Sequence, residues 1–307
     1  MSLSSTEWFI RNFQEEDMPL LGELYQSVTA TENATFWWVG DEHNWNNVYC
    51  AFEHGKMIAK GQVSIVNIVP PGRLNNNCHS IYLNLKTITE RENDFALLED
   101  VYEHVFIRAQ QLKQTLSNEY ATILCVGNDA TEIANNEFFR QKGYVYLNSL
   151  YGMTRALNEP IIEVKLAEGF QFSQWKMETV AEQQHYLDLE TEVWPDTPLG
   201  SNKLAEYQKN ELWTSMVIRQ QNIIVAGLMV WKEDDDGVIE DVFVRETWRK
   251  RGFARYLLTQ ALSDLKAKGL PSANLEVFTT NASALCLYQS VGFRVVKEER
   301  RCFINLE

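Results

Sequence analysis

Residues 238–258, VIEDVFVRETWRKRGFARYLL, run from a β-rich strand through a basic glycine loop into a helix. In the strand, strict alternation puts Val238, Glu240 and Val242 on one face and Asp241 on the other. After Arg249-Lys250-Arg251-Gly252 the pattern changes. Leu257, Leu258, Ala261, Leu262 and Leu265 recur at helical spacing, and Gly269 suits a C-terminal stop. Upstream, IIVAGLMVWK (223–232) predicts a strand joined to this one by the acidic turn 233–237, Glu-Asp-Asp-Asp-Gly. Downstream, LEVF (275–278) predicts a short strand, ASALCLYQS (282–290) a short helix, and Gly292-Phe293 the entry to a last strand, RVVKEERRCFINL.

A glycine between a strand and a helix lets the backbone turn tightly and approach a ligand. The helix start beyond it offers unpaired N–H groups and the positive end of a dipole, which suits an anion. Basic side chains alongside add charge for a diphosphate. A basic loop that merely caps a helix reads the same way, so the loop alone leaves both meanings open.

The first half repeats this order. KMIAKGQVSIV (56–66) and SIYLNLK (80–86) predict strands around a turn at Pro70-Pro71-Gly72. Residues 89–112 predict an amphipathic helix with its lead-in, TILCV a strand, TEIANNEFFRQ a helix, and Gly143-Tyr144 opens another strand. ENDFALLEDV aligns with KRGFARYLLT, and EFFRQKGYVYL with CLYQSVGFRVV. Each half also opens with a strand and a helical stretch, WFIRNFQEEDMPLLGELYQ and GFQFSQWKMETVAEQQHYLDLE. Order and spacing kept over most of the chain indicate duplication. The polar break at Asn158-Glu159-Pro160 sets the expected domains at 1–158 and 159–307.

Composition narrows the chemistry. With 42 acidic against 28 basic side chains the net charge is −14, a poor balance for nucleic acid or an anionic membrane, and compatible with a cationic substrate. The same acidity also serves plain solubility. Five scattered cysteines and five dispersed histidines form neither a disulfide framework nor metal-ligand spacing, so no metal is expected and a reducing cytoplasm is. Cys286 and Cys302, without a paired histidine, read as packing residues rather than nucleophiles. The opening MSLSSTEWFI lacks the basic-then-apolar order of a signal peptide, and no apolar run reaches the length of a membrane span.

VIEDVFV-RETWRKRGFARYLL resembles motif A of the GNAT N-acetyltransferase superfamily, with the [Q/R]-x-x-G-x-[G/A] loop at Arg249, Gly252 and Ala254. LEVFTTNASALCLYQSVGF resembles motif B, with Asn281, Ala284, Leu287-Tyr288 and Gly292-Phe293 in place. The resemblance covers residues 160–307 well and the first half in outline. It implies an α+β protein of two tandem GNAT domains, each a central mixed sheet flanked by helices, the second using acetyl-CoA.

Residue by residue, the resemblance implies that backbone amides from Lys250 through Arg251, Gly252, Phe253 and Ala254 to Arg255, beside Arg249, hold a pyrophosphate. Val242-Phe243-Val244 would pair with the pantetheine arm as an added strand does, where two parallel strands splay. Asn281 and Ala284 would contact the cofactor, although Asn281 also suits an N-cap. Tyr288 would be the general acid for the departing thiolate, with a core tyrosine as the plain alternative. Glu240, nine residues before Arg249, stands where some family members carry the base that deprotonates the amine, and also suits a solvated strand glutamate. Trp194, Glu190 and Glu192 fall where family substrate loops lie, though exposed helix charges explain the two glutamates as well.

In the first half Asp94 fills the glycine position, next to Glu92, and Phe139 the tyrosine position. The first half is therefore expected to be catalytically silent and to buttress the other or wall its substrate cleft. The expected acceptor is a primary amine of a small molecule or peptide, acetylated without an enzyme-bound intermediate. A non-catalytic acyl-CoA sensor, a longer acyl donor, or a protein N-terminus or lysine as acceptor stay open.

Overall fold

A computed structural model of the chain describes residues 8–30, 34–69, 71–72, 77–195 and 199–307. Contacts divide it into two units, one formed by 1–150 with 297–307 and the other by 151–296.

The first unit is built from β1 (Phe9–Asn12), α1 (Met18–Thr29), β2 (Val48–Glu53), β3 (Lys56–Asn67), β4 (Cys78–Thr87), α2 (Phe95–Lys113), β5 (Ala121–Asp129), α3 (Ile133–Gln141) and the start of β6 (Val145–Ala156). Its sheet runs β1-β2-β3-β4-β5 and then takes in the last strand of the chain, β12 (Arg294–Asn305), which pairs antiparallel with β5 from Glu299↔Asp129 to Asn305↔Ile123. Only β4 and β5 are parallel neighbours among the pairs described. Alternation sends Leu83 and Leu85 with α2 residues such as Leu97 and Val101 into one core, and Cys50 and Met57 with Leu21 and Leu24 of α1 into another. The sheet is thus covered on both faces.

The second unit holds the rest of β6, then β7 (Gln171–Trp175), α4 (Val180–Val193), α5 (Gly200–Tyr207), β8 (Glu211–Gln220), β9 (Ile223–Glu233), β10 (Asp236–Val244), α6 (Phe253–Ala267), β11 (Ser272–Phe278) and α7 (Ala282–Ser290). Its sheet order is β7-β8-β9-β10-β11-β6, with β10 and β11 parallel. One face packs on α6 and α7 through Leu257, Leu258, Ala261, Leu262 and Leu265, the residues whose helical spacing the sequence displays. The other packs on α4 and α5 through Tyr186, Leu189 and Leu204. This is the expected α+β architecture with mixed sheets.

The division by contacts differs from a single break near Asn158. Tyr151–Ala156 of β6 belong to the second unit and Lys297–Asn305 of β12 to the first. Each sheet is closed by the strand that follows the other half's short helix. Alternation identifies a strand but not the sheet it joins, because that choice rests on contacts remote in sequence.

Two local expectations are corrected. The β9–β10 turn is Asp234-Asp235 alone, with Asp234 at φ 52°, and Asp236 and Gly237 already belong to the strand. Gly237 is there for packing: a Cβ on it would stand 2.6 Å from Leu265 Cδ1. Cys286 is exposed rather than packed, whereas Cys302 contributes to the first unit's core. Pro71-Gly72 form a turn, while Pro70 and the first seven residues lie outside the described residues. Among the described residues, no helix is long and apolar enough to cross a membrane, and no group of three His, Cys, Asp or Glu side chains converges as a metal site.

Candidate active site

The parallel pairing of β10 with β11 stops almost as soon as it starts, with Gly237↔Ala273 and Val238↔Asn274. The cause is a β-bulge. Glu240 faces Met229 and Phe243 faces Gly227, so one extra residue is inserted in β10, and Asp241 takes φ 57°. The bulge corrects the expected alternation. Val238 packs on the α4–α5 side, but beyond the bulge Val242 packs on the α6–α7 side while Phe243 goes to the first. Val242 therefore does not share a face with Val238 and Glu240.

Beyond β10 a single 3₁₀ turn, Glu246–Trp248, leads into the basic loop. Lys250 at φ 62° and Gly252 at φ 82° both adopt the left-handed conformation, and Gly252 is the N-cap of α6. Nothing lies within 4 Å of where a Gly252 Cβ would sit. The first helical bond is Tyr256 N–H to Gly252 C=O at 2.9 Å, so the N–H groups of Phe253, Ala254 and Arg255 are free of intrahelical partners. Arg249 folds back, its Nε donating to the Val244 carbonyl at 3.1 Å.

A cleft of about 490 Å³ connects these parts. Every member of the sequence-derived cofactor set lines it except Arg251 and Tyr288: Val242, Phe243, Val244, Arg249, Lys250, Gly252, Phe253, Ala254, Arg255, Asn281 and Ala284. Trp194 lines it as well, set edge-on against Phe243 with ring centroids 6.2 Å apart. The fit to an extended phosphorylated ligand rests on open space at Gly252, unpaired first-turn amides and unpaired strand edge on β10. Asn281 is the N-cap of α7, its Oδ1 accepting from Ala284 N–H at 3.1 Å, so its capping role is realised.

Tyr288, on α7, is 92% buried against the α6–α7 core and lies edge-on to Phe293. Burial, reinforced by the fields of Glu240 and Asp241, pushes its hydroxyl up to about 12, so it is protonated at neutral pH. Glu240 lies on the opposite face. Burial and the facing charge of Glu276 push it up to about 7, partly offset by the Asp241 backbone N–H and Lys203. It is not a fully solvated strand glutamate, and among the described residues it makes no ion pair. Asp241 is likewise raised to about 7, by burial alone.

Of the segment before Pro195, Glu190 is buried and accepts from the Leu199 N–H at 2.9 Å, which corrects its reading as an exposed charge. Glu192 makes a two-pronged ion pair with Arg245 at 2.8–2.9 Å. Sequence reasoning missed Tyr207 of α5, which stacks on Trp231 with centroids 4.6 Å apart and feels both Glu240 and Glu276. A short helix after undistinguished polar sequence carries no local signal for that placement.

The first unit has the same parts closed from within. Asp94 caps α2 by accepting from Leu97 N–H at 3.1 Å and pairs with Arg91, so a side chain occupies the anion position. Asn135 of α3 donates to the Leu85 carbonyl of β4 at 3.0 Å. Buried Lys86 pairs with Glu132 and donates to Asn128. The space beside them is only about 50 Å³. Phe139 is buried among Tyr102, Phe138 and Tyr144.

Residues 178–293, which contain the bulged strand, the glycine loop and both site helices, match the Acetyltransferase (GNAT) family. This segment carries the GNAT acetyltransferase family's match. The chain is 28% identical over 126 residues to a ribosomal-protein alanine N-acetyltransferase of Haemophilus ducreyi, covering 39% of this chain and 83% of that protein. It is 36% identical over 64 residues to an L-ornithine N5-acetyltransferase of Arabidopsis thaliana, covering 21% of this chain and only 28% of the plant enzyme. The GNAT fold extends over the full chain. A GCN5-related N-acetyltransferase from Sphaerobacter thermophilus superposes with TM-score 0.76 at 17% identity, over 99% of this chain and 97% of that one. A tandem GNAT protein from the clavulanic acid biosynthesis pathway does so with TM-score 0.67 at 8% identity, over 98% and 99%.

Proposed function

We propose that the protein is an N-acetyltransferase whose second unit binds acetyl-CoA and passes the acetyl group directly to an amine. The observation that carries this reading is one continuous cleft joining the bulged edge of β10 to the open N-terminus of α6. Free amides at 253–255 and the left-handed glycine suit a pyrophosphate, and the unpaired β10 edge suits an amide-bearing arm. Bound acetyl-CoA supplies the activated acetyl group. Glu240 takes the proton the acceptor amine gives up, Tyr288 holds the proton the leaving sulfur acquires, and burial keeps water from competing.

The first unit, in this reading, is a silent GNAT domain, since Asp94, Glu132 and Asn135 fill from within what a cofactor needs open. The acceptor is a small or peptide-borne amine, preferably cationic. Glu240 facing Glu276 gives the acceptor side a negative field, and the two relatives named above act, by their names, on ornithine and on a ribosomal-protein alanine. A screen of CoA-thiol release from acetyl-CoA over amino acids, polyamines, aminoglycosides and N-terminal peptides tests this. Turnover with a cationic amine, weakened by salt, is expected. Tight acetyl-CoA binding with no thiol release for any amine contradicts it and leaves a binding protein.

A further inference from the structure

The cleft of the second unit has one aromatic end. Of β10 it is lined by Val242, Phe243 and Val244 and, among the described residues, by none earlier in the strand. Val193 and Trp194, at the end of α4, stand on the same side as Phe243. Gly252, Phe253, Ala254 and Arg255 line the opposite part, beyond the C-terminal end of the strand.

Phe243 is the fixed member of this end. It lines the cleft yet is only 2% exposed. Its ring lies against Gly227 of β9, where an added Cβ would stand 2.7 Å from Cε1 and 2.9 Å from Cζ. Tyr186, fully buried on α4, meets it at 68° with ring centroids 6.2 Å apart. Trp194 meets it at 82° and 6.2 Å. Sheet, helix and tryptophan thus leave the ring nowhere to retreat. The bulge makes this possible. Without its extra residue, alternation would turn Phe243 to the α6–α7 face, away from Trp194.

The consequence rests on the acyl-transfer reading above. In that reading the arm of the cofactor leaves a diphosphate held at 253–255 and follows the free edge of β10 backwards, past Val244 toward Val242. Its far end, which carries the thioester, then arrives beside Phe243 and Trp194. An acetyl group adds little beyond the sulfur. Every further methylene needs room that the packed rings hold, and interiors at crystal-like density give up such room poorly.

We propose that Phe243 and Trp194 gauge the acyl chain, admitting the acetyl thioester of CoA and refusing butyryl and longer thioesters. The two rings set the specificity for the donor and take no part in proton transfer.

Calorimetric titration of the full chain with acetyl-, butyryl- and hexanoyl-CoA tests this without a known acceptor. Wild type should bind acetyl-CoA on the order of tenfold more tightly than butyryl-CoA, and hexanoyl-CoA more weakly still. Phe243→Leu removes the ring while keeping an apolar side chain, and should bring butyryl-CoA to within about threefold of acetyl-CoA. Trp194→Ala, at a half-buried position past the end of a helix, should narrow the same ratio even if Phe243→Leu does not fold. The ratio is the decisive readout, because a merely structural role would weaken all three thioesters together. Equal affinity of wild type for the three overturns the gauge, and so does a ratio unchanged in both variants. Either result leaves the acyl-transfer reading standing, whereas a wild-type chain that binds none of the thioesters removes that reading and the gauge with it.

Discussion

Glu240 and Tyr288 owe their proposed roles to opposite consequences of the same burial. Removing a carboxylate from water raises it toward the pH at which a base is both available and strong enough, and removing a phenol from water keeps its proton in place. The catalytic rate should therefore rise as Glu240 ionises through about 7. Glu240→Gln should flatten that alkaline limb, and Tyr288→Phe should lower turnover about a hundredfold or more with acetyl-CoA affinity kept. The same burial works against stability. Between the ordinary carboxylate value and about 7 the native state holds the Glu240 proton that the unfolded chain has lost, so its contribution is present at low pH and disappears as pH rises through about 7. Glu240→Gln should thus be slower yet melt higher than wild type at pH 8, with little difference at pH 5. An unchanged pH–rate profile in Glu240→Gln assigns the base to another group. At this scale Gly252, Asn281 and Tyr288 were legible because each serves a local motif: a left-handed turn, a cap and a helix position. Asp241 was not. A strict alternation places it opposite Glu240, and only the ladder with β9 reveals the inserted residue.

Among the elements, α6 joins fold and site most closely. Its start presents free amides to the cleft, and its buried leucines hold it against the sheet. The contact is tightest at Gly237, where an added Cβ would come within 2.6–3.1 Å of three Leu265 side-chain atoms. Leu265 is fully buried and has little room to give. Gly237→Ala should therefore cost about 1–3 kcal/mol in chemical denaturation, whereas Gly237 in a turn would tolerate the change for much less. The helix ends as its sequence predicts, with Gly269 at φ 84° and Leu270 N–H bonded to the Leu265 carbonyl at 3.2 Å. Strand β8 and helix α5 escaped notice, since ELWTSMVIRQ follows no clear turn signal and GSNKLAEY is short and polar. Tyr207 was lost with them.

At the scale of the molecule the repeated order of elements was legible in the sequence, and the proposed silence of the first unit rests on two positions, Asp94 and Phe139. On that proposal a single reversion would not open a cofactor site. Asp94 is one of several internal fillers, with Asn135 on the Leu85 carbonyl and the Lys86–Glu132 pair beside it. The pairing of β12 with β5 and the place of β6 beside β11 were not legible, because alternation along a strand does not say which neighbour it takes. The central claim, that one cleft in the second unit takes acetyl-CoA and its counterpart in the first does not, is tested most directly by calorimetric titration of the full chain with acetyl-CoA. The account predicts about one site per chain in wild type and in Asp94→Gly, and none in Gly252→Asp, which puts a carboxylate where the first unit has its own. Two comparable sites in wild type, or full binding by Gly252→Asp, would contradict it.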